Sequence, residues 1–326
     1  MHQAIRFHEY GGADVLRFEN VDVTEPGPGE ARIRHEAIGV NFIDIYQRSG
    51  LYQVPLPAVA GNEGAGIVEA VGAGVKHVKI GDRVTYAGRA GSYCEVRNLP
   101  ADRLCILPEK LTLEQGAAMM LKGLTVQYLI RKTYRVQKGC TVLFHAAAGG
   151  VGVIACQWMK SLGARVIGTA GSAEKCQIAT QNGADYCINY RTENVVDRVK
   201  EITKGEGVPI VYDSVGKDTF DTSINCLRPL GLLVSFGNAS GVVPPVELGI
   251  LAQHGSLYIT RPTLATYTAK RSDLEQMSQE LFDIVLSGTV KIEIKQRYQL
   301  KDAAQAHRDL EERKTSGSSI LLTRPV

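Results

Sequence analysis

The stretch Leu143-Phe144-His145-Ala146-Ala147-Ala148-Gly149-Gly150-Val151-Gly152 decides the fold. It opens as an apolar run of strand length. Gly149, Gly150 and Gly152 then form a tight turn, beyond which Val151, Ile154, Ala155 and Trp158 recur at helical spacing. A strand that enters a glycine turn and leaves as a helix is the phosphate corner of a dinucleotide fold. There the glycines let backbone approach a pyrophosphate at the helix N-terminus. Ala147 stands where the first glycine of G-x-G-x-x-G belongs, so the fingerprint is a variant and its weight comes from its surroundings.

Downstream, short apolar runs alternate with helical segments. The runs are Thr141–Ala146, Ala164–Thr169, Tyr186–Tyr190, Pro209–Asp213, Leu232–Phe236 and Ser256–Thr260. Between them lie helical stretches at Gly152–Leu162, Ala173–Asn182, Asn194–Thr203 and Thr219–Leu227. This alternation predicts an α/β fold with a doubly wound parallel sheet. Upstream of Pro108 the chain is rich in Gly, Pro and Val. Runs such as Ala31–Ala37 alternate by side-chain type between turn signals, which predicts a β-rich, partly closed barrel. A helix is expected over Leu113–Tyr134. The tail predicts a helix from Asp273 to Leu286, a strand at Lys291–Tyr298, a helix at Lys301–Arg313 and a closing strand at Ser319–Thr323, in the style of the first region. The domains are therefore placed at 1–122 with 266–326, and at 123–265.

Composition sets the outer bounds. With 326 residues, 44% hydrophobic and 22% charged, the chain is long enough for two domains and too apolar for disorder. Lys plus Arg is 37 and Asp plus Glu 34; a net +3 over this length gives no nucleic-acid-binding excess, and no nucleic-acid partner is expected. The start is charged and lacks the apolar core of a secretory signal. Gly139–Met159 carries no charge and is long enough to imitate a membrane span, but the glycines inside it read as strand, turn and helix. The seven cysteines form no C-x-x-C pair, and their odd number argues against a full disulfide framework. A cytoplasmic protein with no membrane partner is expected. Of the seven histidines, His145 is expected against the sheet and the others at the surface.

The glycine turn also frames a cofactor preference. An NAD site places an acid at the end of the second strand, for the ribose 2′-hydroxyl. Here that strand runs into Gly168-Thr169-Ala170-Gly171-Ser172-Ala173-Glu174-Lys175, with no acid at its end and Glu174 a turn too late. Gly171, Ser172 and Lys175 instead suit a 2′-phosphate, hence NADPH, held at the turn by Ala148, Gly149, Gly150, Val151 and Gly152. Ligands of such sheets lie beyond the carboxyl ends of the strands. That adds Tyr190, Ser214, Val215, Phe236, Gly237 and Asn238. Tyr190 is open to three roles: packing beside adenine, donating to the 2′-phosphate, or capping the sheet.

The whole chain resembles the medium-chain dehydrogenase/reductase superfamily, on Gly61-Asn62-Glu63-Gly64-Ala65-Gly66-Ile67-Val68, on Val78–Val84 and on the glycine turn. Within it the chain is most similar to the quinone oxidoreductase branch that includes zeta-crystallin. That likeness rests on Ala37–Asp44, Arg48–Tyr52, Leu121–Thr125, Val211–Gly216, Ser235–Asn238 and Ile259–Pro262. The resemblance implies a GroES-like first domain and a Rossmann second domain, with the nicotinamide end between them. It places Asn41, Ile43, Tyr46, Tyr52, Lys122, Thr125 and Tyr128 at that end. Asn41 would orient the acceptor oxygen or the carboxamide, and Tyr46 and Tyr52 would stack on a flat ring or donate a hydroxyl. Lys122 or Tyr52 would serve as a proton donor where one is needed.

The departures from the zinc alcohol dehydrogenases are informative. Asn41 and Asn62 stand where those enzymes have a cysteine and a histidine, and the four-cysteine lobe is missing, so no metal is expected. Without a metal the alkoxide of a simple carbonyl, near water's pKa of about 15.7, is hard to form. The phenolate-like oxygen of a reduced quinone, near a pKa of about 10, is ~6 units or ~8 kcal/mol easier. The expected activity is therefore NADPH-dependent reduction of a small-molecule quinone. The alternatives are an NADPH-dependent enone or enal reductase, or a non-catalytic NADPH-binding protein of crystallin-like or RNA-binding kind. A homodimer is expected through the sixth strand, Ser256–Thr260, an uncharged edge without proline.

Overall fold

In a computed structural model of the protein, residues 1–324 are described. The chain forms two compact units. The first comprises Met1–Leu124, Thr268–Leu286 and Ile292–Val326; the second comprises Thr125–Tyr267 and Ser287–Lys291. The first boundary falls inside the helix Leu113–Tyr128, two residues beyond the position read from sequence. The sequence reading also gave the whole tail to the first domain. Ser287–Lys291 instead returns to the second, where Gln157 and Lys291 exchange hydrogen bonds of 3.1 and 2.8 Å through side-chain amide and backbone.

The first unit holds a seven-stranded sheet built around the long strand Glu30–Val40. One side of that strand pairs with Glu63–Val71. The other side is shared, residues 30–34 pairing with Val96–Pro100 and residues 37–40 with Ser318–Leu322. Register shifts at Arg32/Ile33 and His35/Ala37 bend it, which lets one strand serve two neighbours and curl the sheet. Ala31, Ile33, Val68, Val84, Tyr86 and Leu99 fill one core; Ile5, Phe7, Ile38, Val40, Tyr93 and Leu321 fill another. The three-stranded sheet Arg17–Val21, His2–Phe7, Ala58–Val59 completes the unit. This is the GroES-like architecture expected.

In the second unit six parallel strands run in the order Tyr186–Asn189, Arg165–Ala170, Thr141–Phe144, Val208–Asp213, Leu227–Ser235, Tyr258–Thr260. Numbered along the chain, that is 3-2-1-4-5-6, the dinucleotide order, with the strand reversal beside Thr141–Phe144. Gly139–Met159 resolves into that strand, the turn and the helix Gly150–Ser161. No helix among the described residues is long and apolar enough to cross a membrane.

Two elements differ from expectation for local reasons. The helix expected to reach Tyr134 is α-helical only to Tyr128 and then widens into a π turn over Leu129–Thr133. Tyr134 N bonds Leu129 O five residues back, and the Tyr212 hydroxyl also donates to that carbonyl at 3.1 Å. The fifth strand starts at Leu227 rather than Leu232. Leu227 pairs with Val208 before a register shift that Pro229 and the left-handed Leu230 (φ 60°) occupy.

Candidate functional site

The glycine turn of the second unit is a cradle that side chains would fill. Gly149 is the extended N-cap of Gly150–Ser161, so the helix starts two residues earlier than read from sequence. A Cβ on Gly152 would stand 2.5 Å from the Ala146 carbonyl oxygen and 2.6 Å from the Ala147 carbonyl, so only glycine lets the helix lie this close to the strand end. The variant fingerprint has a steric explanation. Ala147 is fully buried and its methyl uses space left by Gly168, where an added Cβ would come within 2.6 Å of it. Ala148 is buried, while Gly149, Gly150 and Val151 keep partial exposure at the helix start, where the positive end of the helix dipole favours an anion.

Gly171, Ser172, Lys175 and Tyr190 come together at the end of the second strand. The Ser172 hydroxyl oxygen caps the helix Ala173–Gln181 by accepting from Lys175 N at 3.2 Å, which leaves its own hydrogen for a ligand. A Cβ on Gly171 would overlap the Tyr190 hydroxyl, so the glycine admits the ring. Tyr190 N bonds Ala170 O at 3.1 Å and its side chain is half-exposed. Glu174 points to solvent.

Beyond the fourth and fifth strands one carboxylate organises the loops. Asp213 accepts from Val215 N at 2.8 Å, Gly216 N at 3.1 Å, and the Thr219 and Ser223 hydroxyls at 2.7 Å each. Ser223 spends its proton on Asp213, so it accepts from His145 Nε2 at 3.1 Å, while His145 Nδ1 accepts from Thr169 at 3.0 Å. His145 and Ser223 are both buried, and burial holds the imidazole below its ordinary pKa. The hydroxyl faces the acid rather than the base, so the trio fixes a loop and makes no nucleophile. Gly237 packs against Ser214, where a Cβ would meet the Ser214 Cα at 2.8 Å; Arg261 holds the Gly237 carbonyl at 2.9 Å, next to Phe236 and Asn238. Thr125 and Tyr128 share the buried start of this unit. Tyr267 covers one face of the Tyr128 ring (centroids 4.5 Å apart, 6° between planes), and burial raises the Tyr128 hydroxyl's pKa.

In the first unit Asn41, Glu63 and Lys122 form a buried cluster. Glu63 is fully buried and accepts from Leu121 N and Asn41 Nδ2 at 2.8 Å each; Lys122 Nζ approaches it at 3.4 Å and the Val40 carbonyl at 3.4 Å. Gly39 makes room, since a Cβ there would overlap the Glu63 carboxylate. Asn41 caps the helix Phe42–Arg48 in a capping box with Asp44. Asn62 Nδ2 donates to Asp44 Oδ1 at 2.8 Å and to Gln47 at 2.7 Å. Burial pushes the Asp44 carboxyl up to about 6, against hydrogen bonds from Asn62, Asn41 N and Tyr93 and the charge of Lys122. Tyr46 is buried and meets the half-exposed Tyr52 edge-on, ring centroids 5.3 Å apart; Ile43 sits on the same helix, partly exposed.

Sequence reasoning passed over Asp44, Tyr93, His307 and Arg48, and it misplaced two histidines. His35 and His307 are buried, not superficial: His35 is held by the Cys94 carbonyl and the Tyr86 hydroxyl, and His307 by Tyr93 and Arg48. Asp44 alone carried a local signal, as the third residue after an asparagine N-cap. Among the described residues no group of three His, Cys, Asp or Glu side chains is placed to hold a metal ion. At the two positions where the alcohol dehydrogenases carry ligands, both amide nitrogens are committed as donors, Asn41 to Glu63 and Asn62 to Asp44. That donor set does not fit zinc.

Comparison with known proteins agrees with this architecture. A family model described as zinc-binding dehydrogenase matches residues 150–283, and one described as alcohol dehydrogenase GroES-like domain matches residues 27–139. The quinone oxidoreductase of Pseudomonas aeruginosa is 55% identical over 324 residues, 99% of this chain and 100% of that one. The 2-haloacrylate reductase of a Burkholderia species is 44% identical over 99% of both chains. The crystal structure of Escherichia coli quinone oxidoreductase complexed with NADPH superposes with a TM-score of 0.97 at 53% identity, over 98% of this chain and 99% of that one. With its glycine cradle, its strand order and this likeness along nearly its whole length, the chain belongs to the quinone oxidoreductase family of the medium-chain dehydrogenase/reductase superfamily.

Proposed function

We propose that this protein reduces quinones with NADPH and without a metal. The observation that carries the reading is the pair of committed amides, Asn41 on Glu63 and Asn62 on Asp44, in a chain that otherwise keeps the dinucleotide cradle. NADPH, when bound, supplies the hydride. Ala148, Gly149, Gly150, Val151 and Gly152 hold its pyrophosphate at the helix start, and Ser172, Lys175 and Tyr190 hold the 2′-phosphate. In the second unit Ser214, Val215, Phe236, Gly237 and Asn238 would line its path, with Thr125 and Tyr128; in the first unit Asn41 and Ile43 are the residues suited to its nicotinamide end. Asn41 has one Nδ2 hydrogen on Glu63 and a second for the acceptor oxygen or the carboxamide. Lys122 Nζ lies beside Glu63, and Tyr46 with Tyr52 offers ring faces and hydroxyls to a flat acceptor. The product oxygen of a quinone is a delocalised phenolate-like anion, which such a site tolerates without a Lewis acid.

A second reading, reduction of a carbon–carbon double bond conjugated to a carbonyl, is favoured by the 44% identity to a 2-haloacrylate reductase. It uses the same residues and needs a donor for the enolate oxygen, a task that fits Lys122 or Tyr52. An acceptor panel separates the two. NADPH oxidation should be fast with ortho- and para-quinones, slower with enals and negligible with saturated aldehydes; turnover of saturated aldehydes with no quinone activity would defeat both readings. Homodimer formation through Tyr258–Thr260 and residence in the cytoplasm belong to the same proposal.

A further inference from the structure

We infer that Arg48, His307 and Tyr93 are positioning residues, which through Asp44 hold Asn41 and Asn62 in the orientation the site uses. This rests on the reading above for the role of Asn41. The inference starts from a buried chain of hydrogen bonds in the first unit whose direction is fixed at one end. Arg48 has only donors. Its Nη1 and Nη2 grip Glu311 at 3.1 and 2.6 Å, its Nε donates to Gly11 O at 3.1 Å, and the remaining Nη1 hydrogen faces His307 Nδ1 at 3.3 Å. His307 Nδ1 must therefore be the bare nitrogen and Nε2 the protonated one. Nε2 then donates to the Tyr93 oxygen at 3.1 Å, so the Tyr93 hydrogen is left for Asp44 Oδ2 at 2.9 Å. Every donor points one way, toward the carboxylate.

Asp44 ends this chain and begins the site. Its Oδ2 also accepts from Asn41 N at 2.9 Å, and its Oδ1 from Asn62 Nδ2 at 2.8 Å. Asp44 thereby fixes the Asn41 backbone, from which the side-chain amide reaches Glu63, and holds the Asn62 side-chain amide, which it shares with Gln47. The chain's members are almost wholly buried: Arg48 is 2% exposed, Asp44 1%, and Tyr93 and His307 0%. A buried polar relay of this completeness costs more to build than an apolar core of the same volume, which points to a task other than stability. The charges facing Asp44 are the Lys122 ammonium, the Glu63 carboxylate and, beyond Tyr93, the Arg48–Glu311 pair. Through this relay the tail helix Ala303–Glu311 orients residues more than 200 positions earlier in the chain.

Tyr93→Phe tests this, because it deletes one oxygen and keeps the ring. The Asp44 carboxylate loses a donor and protonates more readily. The acid limb of kcat/KM against pH should move up by about one to two pH units. Activity at pH 8 should stay within a few-fold of wild type, and NADPH affinity should be unchanged. A profile that superimposes on wild type, or an equal loss at every pH, would overturn the inference. A second readout needs no turnover. In 15N-histidine NMR of the wild-type protein, His307 should be neutral with its proton on Nε2 from pH 5 to 8; an imidazolium or the Nδ1–H form contradicts the relay. If the wild-type protein reduced none of the quinones or enals of the panel with NADPH, the functional reading would fall. The relay would still be decided by that spectrum and by the Asp44 13C-carboxyl titration, expected to shift upward in Tyr93→Phe and contradicting the relay if unmoved.

Discussion

Lys175 is where the cofactor preference can be read from one side chain. Its helix starts at Ser172, whose hydroxyl caps it, and Gly171 admits the Tyr190 ring beside it, so three polar groups meet with no acid among them. A charge-assisted hydrogen bond to a phosphate contributes about 1.5–3 kcal/mol. Lys175→Ala should then weaken NADPH binding by roughly 10- to 150-fold and leave NADH almost unaffected, as measured by fluorescence titration of both cofactors. Equal losses would remove Lys175 from the 2′-phosphate site. This corner was legible because it is local: Gly171, Ser172 and Lys175 are neighbours in sequence, and the missing acid is a visible gap. Asp213, by contrast, collects partners spread over ten residues, and the Tyr93–His307 contact spans 214. No local pattern predicts such a contact, which is why buried histidines were read as surface ones.

At the scale of elements, the parallel sheet followed from the alternation of apolar runs and helical stretches, since each periodicity is local and strongly marked. Its failures are where tertiary contacts override local pattern: the π turn after Tyr128, drawn out by the Tyr212 hydroxyl, and the early start of the fifth strand. The sixth strand is the edge assigned to the proposed homodimer. Tyr258–Thr260 pairs with Leu232–Val234 on one side, and Tyr258 and Ile259 are 60% and 38% exposed. An apolar edge of this kind is a template for a second copy of itself. Ile259→Lys should shift sedimentation from dimer to monomer at micromolar concentration while leaving NADPH binding intact; a wild-type protein already monomeric there would refute pairing at this edge.

For the molecule as a whole, buried ionisable groups set its response to acid. Burial drives His35 and His307 down to about 3, and lowers His145 as well. A base depressed in the folded state contributes stability that is complete above its unfolded pKa near 6.5 and is lost as pH falls below it. At pH 5 the loss is about 2 kcal/mol for each of His35 and His307, offset by about 1.5 kcal/mol from Asp44, whose raised pKa acts with the opposite sign. Urea midpoints should therefore drop between pH 7 and pH 5. Equal or greater stability at pH 5 would mean that these imidazoles are not held neutral.

The central claim is reduction of a quinone by NADPH at a site with no metal, and the most direct measurement joins its two halves. Protein dialysed against a chelator and assayed for metals should contain less than one-tenth of an equivalent of zinc. It should oxidise NADPH with a para-quinone at the same rate as undialysed protein. Stoichiometric zinc whose removal abolishes the reaction, restored when zinc is returned, would contradict the account.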